Sequence, residues 1–456
     1  MLIKRINTNL NSLELYSLFK DEEYSFFLDS SMNNNKLGQY SFIGFDPFLI
    51  FKSKDDKVTI LDKGVLSVYK SNPFNKLKET LDNYKMDYNT KIPFIGGAVG
   101  YFGYDLCHHI ENITRTAVDD VNIPDCYFGI YDGVIIIDHQ NNEVFIAALG
   151  IKDKSETIIK NIENKICLCE KKYTKINISK NVNVSNITSN FSKEQYINAI
   201  EKIRQYVKEG DIYQANMTQR FECSTDKNPF DIYSQLREIS PAPFGGFIDF
   251  GEGYIISNSP ERFIKIRNRY IETRPIKGTA PRGKNHVEDL KNKQMLLNSE
   301  KDKAELLMIV DLERNDIGKI SKPGTVKVTE LFKLETYSNV HHLVSTVTGE
   351  IDNEYDSIDC IKEMFPGGSI TGAPKIRAME IIDELEPTQR NIYTGSMGYI
   401  GFNGDVDLNI VIRTIVFKDN RAYFQAGGGI TWDSDAKLEY EETLHKAKSI
   451  IKVLKS

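Results

Sequence analysis

The chain has 456 residues, 40% hydrophobic and 27% charged side chains, and a formal net charge of −6 at pH 7. These proportions suit a soluble globular protein with a large core, and mild acidity without a concentrated basic run excludes a general nucleic-acid binder. No window approaches the roughly 18 apolar residues of a membrane span, and the first residues lack the apolar centre of a secretion signal, so no membrane partner is expected.

The six cysteines, at 107, 126, 167, 169, 223 and 360, have no Cys-x-x-Cys spacing and read as the reduced thiols of a cytoplasmic protein. Residues 1–150 read mostly as strands and turns. Residues 40–44 and 48–51 flank Asp46-Pro47, and residues 57–61 and 65–69 flank Asp62-Lys63-Gly64, the latter in the manner of an antiparallel hairpin. A further hairpin is expected from 133–138 and 143–148, and a helix from 151–172. The Asn- and Ser-rich stretch 173–190 lacks any helical period and is expected to be a linker, which divides the chain into regions 1–185 and 186–456.

Beyond it, Ser192 with Gln195 forms a capping-box pattern for an amphipathic helix carrying Tyr196, Ile200, Ile203 and Val207 and ending at Gly210. Residues 211–221 read as a strand with too many polar residues for a plain core, so some should face a cavity. Helices are expected at 301–317, 374–387 and 438–454, and strands at 325–330, 342–348, 394–402, 407–417 and 421–426. Grouped strands with helices inserted between the groups indicate an α+β fold with mainly antiparallel sheets.

Several residues could carry chemistry. Lys277 lies in the segment 273–283, where two prolines and two glycines predict a rigid, turn-rich backbone. Asp302 with Glu305, and Glu439 with Glu442, are i, i+3 carboxylate pairs on predicted helices, and four carboxylates facing one point would call for a hard cation such as Mg²⁺. Each pair alone is equally well explained as a solvated face. Gly427-Gly428-Gly429 could turn backbone N–H groups toward an anion, and Arg413 is a lone charge in an apolar run that needs a partner. Residues 366–375 resemble a phosphate loop but miss its spacing, because Ala373-Pro374 intervene. His341 and His342 are adjacent on a strand, so at most one can face a site.

Taken together, the blocks at 211–214, 259–263, 309–318, 340–345, 365–375 and 427–430 resemble, in order, the diagnostic blocks of the chorismate-utilising enzymes. The resemblance runs from about 190 to 450, and residues 40–44 are similar to the variable first part of the component I members. It implies two packed antiparallel sheets surrounded by helices, with the active site between the sheets. Anthranilate-forming members generally carry Pro-Ile-Ala-Gly-Thr where aminodeoxychorismate-forming members carry Pro-Ile-Lys-Gly-Thr, and this chain has the latter at 275–279. The resemblance therefore implies that Lys277 attacks C2 of chorismate while Glu261, as general acid, protonates the departing C4 hydroxyl, and that ammonia then adds at C4 and expels the lysine.

Hydroxide is a poor leaving group, so a proton donor is needed, and a covalent adduct divides the substitution into two steps. By the same resemblance Glu305 and Glu442 bind Mg²⁺ directly, with Asp302 and Glu439 behind them through water. Arg413, Tyr393, Lys446, Thr279 and the amides of Gly427, Gly428 and Gly429 hold the substrate. Gln214 stands where members that add water at C2 have a lysine, and His342 matches a histidine tied to pyruvate loss in anthranilate formation. Ammonia is expected from a separate glutamine amidotransferase subunit, since the chain lacks that enzyme's Gly-x-Cys-x-Gly turn. Some members bind tryptophan near the segments matching 29–31 and 240–244, which points to Ser30 and Pro241. The alternatives that remain are an anthranilate-forming component I and a non-catalytic amino-acid-binding or scaffolding protein on the same fold.

Overall fold

The structure, a computed structural model, describes residues 1–31, 38–170, 183–337 and 340–456. Two twelve-stranded sheets pack together, every strand pair within them antiparallel where register is defined, with helices around them. This is the α+β architecture expected. In one sheet the strands Phe26–Asp29, Phe244–Asp249, Tyr254–Ser259, Thr414–Lys418, Arg421–Ile430 and Gln214–Ser224 follow one another. In the other the order is Ile276–Pro281, Val340–Glu350, Tyr270–Arg274, Arg262–Arg267, Val406–Ile410, Ser396–Gly401 and Gly97–Phe102.

Both sheets mix strands from either side of residue 185. Phe26–Asp29 pairs with Phe244–Asp249, and Gly97–Phe102 pairs with Ser396–Gly401. Most of the expected linker lies outside the described residues. An apolar interior that includes Phe42, Phe94, Phe250, Phe263, Met397 and Leu408 is buried among these strands, and Phe94 stacks on Tyr399 with ring centroids 4.6 Å apart. Burying side chains of this size supplies most of the driving force for packing. Among the described residues no helix is long and apolar enough to cross a membrane, and all six cysteines are free thiols.

Local signals translate directly where they concern caps and turns. The helix Lys193–Glu209 begins at Ser192, whose side chain accepts from the Gln195 N–H while Gln195 reaches back, and it ends on Gly210 at φ +86°. Val65–Lys70 pairs with Lys57–Asp62 as the expected hairpin. The two stretches that flank Asp46-Pro47 do not pair with each other: Tyr40–Gly44 belongs to one sheet and Leu49–Lys54 to the other, so the chain crosses between sheets with Asp46 at φ +54°. The strand expected at 407–417 is likewise two strands, Val406–Ile410 and Thr414–Lys418, in different sheets. The break is at Arg413, at φ +51°, because a continuous apolar run reads the same whether or not the strand changes sheet.

These breaks are coordinated. Tyr254–Ser259 and Arg262–Arg267 also lie in different sheets, and they pair with Thr414–Lys418 and Val406–Ile410 respectively. A two-stranded ribbon thus passes from one sheet to the other, clasped by the Ser259 hydroxyl donating to Ile410 O at 2.6 Å and the Ile410 N–H donating to Glu261 O at 3.0 Å.

Beside the ribbon, Arg390 is almost fully buried. It pairs with Glu386 at 2.7 Å and donates to the carbonyls of Ile370 and Asn216 at 3.1 and 2.6 Å. Removing one partner of such a pair strands a charge, so Arg390→Ala is expected to cost about 3–5 kcal/mol in urea unfolding. A loss below about 1 kcal/mol, the range of an exposed pair, would contradict this role.

Candidate active site

Glu261 stands in the ribbon crossing and is 6% exposed. Burial pushes its carboxyl up to about 7, while Ser369, the Ile276 N–H, Lys277 and Lys446 act in the opposite sense. The Ile276 N–H donates to Glu261 Oε1 at 3.4 Å. A carboxyl in that range holds a proton at near-neutral pH and can release it, which is what a general acid requires.

Lys277 follows Ile276 on Ile276–Pro281, a strand at the sheet's edge and not the turn expected. The strand is bulged between Lys277 and Thr279, with Gly278 at φ +76°. The prolines at 275 and 281 do not prevent pairing, because proline is tolerated at strand ends and edges. Lys277 Nζ lies 3.6 Å from Glu305 Oε2. On the facing strand, a Cβ on Gly429 would come within 2.8 Å of Lys277 Nζ and 2.7 Å of Gln214 Nε2, so glycine is what lets these side chains reach the backbone there. Gln214 is fully buried, and neither amide atom has a hydrogen-bond partner among the described residues. An unsatisfied buried amide costs free energy and marks a place where a ligand can bond.

The three glycines, expected to follow the strand ending at 426, continue it to Ile430. Lys446 Nζ donates to Gly427 O at 2.8 Å, and the N–H groups of Thr218 and Asn216 bond to Glu386 and Thr371, not across the ladder. Backbone groups alternate in direction along an antiparallel pair. The amides of Gly427 and Gly429 therefore face away from Gln214–Ser224 toward the site, and Gly428 faces the ladder.

His342 and Thr279 are register partners, and the Thr279 hydroxyl meets His342 Nδ1 at 2.9 Å. Burial, with the nearby Arg413 cation, lowers His342 to about 4, so its ring is neutral at neutral pH. His341 points to the opposite face and bonds to Asp289 and Thr336. Arg413 has no ion pair among the described residues, and burial lowers the pKa of its guanidinium. A cation so placed suits a carboxylate ligand. Tyr393 is buried, and burial raises its phenol pKa.

The two carboxylate pairs reach the same region from two helices. Asp302 and Glu305, on Glu300–Ile320, lie against Gly278 and Lys277, while Glu439 and Glu442, on Ala436–Lys455, lie against Gly428. Burial and the Glu442 charge raise Glu439. Glu442 is held below its ordinary range by Lys446, 2.7 Å away, and by Lys277 and Lys301, although its own burial opposes this. Among the described residues no three such side chains are drawn together as a cation site, and lysines supply the balancing charge. The donor set is nonetheless all hard oxygen, the chemistry of a magnesium ligand field.

Ser30 and Pro241 lie in a separate region. The Ser31 hydroxyl donates to Ala242 O and accepts from Ala242 N–H at 3.0 and 2.9 Å, joining the two segments beside a cavity of about 290 Å³ lined in part by Leu28, Pro243, Phe244 and Tyr399. Three residues near the site had no assigned role in sequence: Ser369 against Glu261, Glu313 bonded to the Gly368 N–H, and Arg390. Only Glu313 had a signal, as an acid on the inner face of a helix.

Comparison with known proteins agrees with this architecture. The profile of the chorismate binding enzyme family matches residues 24–452, and the chain belongs to that family. The match extends well into the region before residue 185. The chain is 39% identical to anthranilate synthase component 1 of Acetivibrio thermocellus over 97% of its own length and 92% of the relative's. It is 38% identical to aminodeoxychorismate synthase component 1 of Bacillus subtilis (strain 168) over 91% and 89%. The crystal structure of anthranilate synthase component I from Streptococcus pneumoniae superimposes with a TM-score of 0.81 at 34% identity, covering 91% of this chain and 92% of that one. The isochorismate synthase MenF of Escherichia coli shares the fold, with a TM-score of 0.76 at 14% identity over 99% and 94%.

Glu261 binds its proton more tightly in the folded chain than at its ordinary value of 4.5. Its contribution to stability is therefore complete below pH 4.5, declines as the pH rises toward 7, and is constant above. Glu261→Gln should remove that decline from a pH series of urea-unfolding free energies. A variant with the parent's slope would show that the buried carboxyl is already ionised.

Proposed function

We propose that the protein is the chorismate-converting component of an aminodeoxychorismate synthase, replacing the C4 hydroxyl of chorismate by an amino group supplied as ammonia by a glutamine amidotransferase partner. The observation that carries the reading is Lys277, within Pro-Ile-Lys-Gly-Thr, presented beside Gly429 and Gln214 in the same site as the protonated Glu261. Overall identity does not choose between the two component 1 activities, since relatives of both names stand at 38–39%. The amino acid at position 277 separates them: alanine cannot act as a nucleophile.

In this reading the neutral Lys277 amine forms a bond to C2, the ring double bonds shift, and the C4–O bond breaks as Glu261 gives its proton to the leaving oxygen, which departs as water. Ammonia then adds at C4, the double bonds return, and the C2–N bond breaks to release the lysine. Arg413 and the outward amides of Gly427 and Gly429 are suited to the substrate carboxylates, and Gln214 can bond to the ring substituents without activating water as a lysine would. Thr279 holds His342, which stays neutral and withdrawn from acid catalysis. Magnesium, held by Glu305 and Glu442 with Asp302 and Glu439 beside them, would neutralise substrate carboxylate charge.

Mass spectrometry of products from chorismate and ammonium in the presence of Mg²⁺ tests the reading. It should show 4-amino-4-deoxychorismate with the pyruvate-derived side chain retained. Anthranilate with free pyruvate would establish the other activity, and unconsumed chorismate would favour a binding protein. Lys277→Ala should fold and lose turnover, whereas full activity would refute covalent catalysis. Glu261→Gln should slow turnover about 10²-fold or more, the usual worth of a general acid. Chelation by EDTA should abolish turnover reversibly, and calorimetric Mg²⁺ binding should be lost in Glu305→Gln; heat unchanged in that variant would move the metal elsewhere.

A further inference from the structure

Glu313 is a buried carboxyl for which the proposed reaction has no use. It lies on the helix Glu300–Ile320, is 3% exposed, and accepts the Gly368 N–H at Oε1 with a separation of 3.0 Å. Its Oε2 has no hydrogen-bond partner among the described residues. An anchor that leaves a polar atom buried and unpaired is costly, and a glutamine or threonine could hold one N–H with less charge to bury.

Gly368 opens the short 3₁₀ turn Gly368–Ile370, and the next residue, Ser369, sets its side chain against Glu261 and favours the charged form of that carboxyl. The turn is therefore held between two acids, with Glu313 on the backbone side and Glu261 on the side-chain side. The turn lies close against the helix: a Cβ on Gly368 would meet Leu312 Cδ2 at 2.7 Å and Glu313 Oε1 at 3.1 Å. The charged groups around Glu313 are Asp316, Lys375 and Glu261, with Asp316 and Lys375 paired at 2.5 Å. Around Glu261 they include Lys277 and Lys446, and Glu313 itself.

We propose that Glu313 is a positioning residue that, by anchoring Gly368, fixes the Ser369 hydroxyl against Glu261 and so sets the acidity of the proton donor. The inference rests on Glu261 acting as the acid of the proposed reaction. It makes a prediction of sign. If the anchor is lost, Ser369 withdraws, the Glu261 anion loses a stabilising neighbour, and its pKa rises. If Glu313 acted through its charge alone, removing that charge would make the Glu261 anion easier to form, and its pKa would fall.

The titration of Glu261 can be followed without substrate by pH-difference infrared spectroscopy, using the protonated-carboxyl band that disappears in Glu261→Gln. The basic limb of kcat/KM with chorismate and ammonium gives a second readout. Glu313→Met, similar in length but without an acceptor, and Ser369→Ala should each raise the midpoint by about half a pH unit or more. The double variant should show no further rise, and Glu313→Gln, which keeps an acceptor for Gly368, should stay at the parent's midpoint. A fall, an unchanged midpoint or additive shifts would overturn the proposal. Should Glu313→Met not fold, Glu313→Leu against Ser369→Ala carries the same test: a rise in each, with no further rise in the double variant, is expected, and anything else overturns it. Because the infrared midpoint needs no turnover, a protein that forms another product leaves this test standing. Conversely, an unmoved Glu261 midpoint with intact chorismate conversion removes the inference alone.

Discussion

The site depends on one topological constraint, the joint passage of two paired strands from one sheet to the other. Tyr254–Ser259 and Thr414–Lys418 pair in the first sheet, and their continuations Arg262–Arg267 and Val406–Ile410 pair in the second. The residues at the crossing lose the neighbours an ordinary strand would give them, and those residues are Glu261 and Arg413. Closed in by both sheets, Glu261 is buried and Arg413 half-buried, and the two are not paired to each other. Desolvation opposes the charge of each, raising one pKa and lowering the other. The crossing thus holds an acid whose pKa is raised to about 7 and a cation without an ion pair among the described residues, two properties suited to an anionic ligand.

A second constraint is steric. At Gly429 a Cβ would collide with Gln214 and Lys277, at Gly427 it would collide with the backbone of Met217, and at Gly428 it would crowd Glu439 at 3.1 Å. What matters at these positions is less the freedom of glycine's backbone than the absence of a Cβ. The expectation that the three glycines turn N–H groups toward an anion treated glycine as a conformational device, whereas it serves here as a spacer within a regular strand, where none of the three residues has positive φ. The outward amides still face the site, because alternation along the ladder turns every second residue that way.

What could be read from the sequence divides along the same line. The caps at Ser192 and Gly210 and the hairpin at 57–70 rest on local chemistry, and each formed as expected. The crossings at Asp46 and Arg413 depend on which sheet receives the next strand, a long-range outcome that an apolar run does not encode. The site residues were accessible through the motif blocks. The supports behind them were not: Arg390 is tied to the carbonyls of Ile370 and Asn216, and a backbone carbonyl has no side-chain signature. Glu313 had a signal as an acid on the inner face of a helix, but its partner, a peptide N–H, has no side-chain signature either.

That division bears on how activities diverge within one fold. The acid, the arginine and the glycine strand are held by backbone geometry and by the ribbon, features of the fold, and the fold itself is shared at 14% identity. Lys277 is different. It stands on an edge strand whose backbone is fixed by pairing with Val340–Glu350 and by the bulge at Gly278, so its side chain can be exchanged without moving anything else. Gln214 is similar, being buried but bonded to nothing described around it. Both side chains project into the site from a backbone that is fixed independently of them, Lys277 on an edge strand and Gln214 on the strand facing Gly429. Relatives named for two different products stand at 38–39% identity, so overall identity does not distinguish them, and side chains held in this way are where members of one architecture can differ.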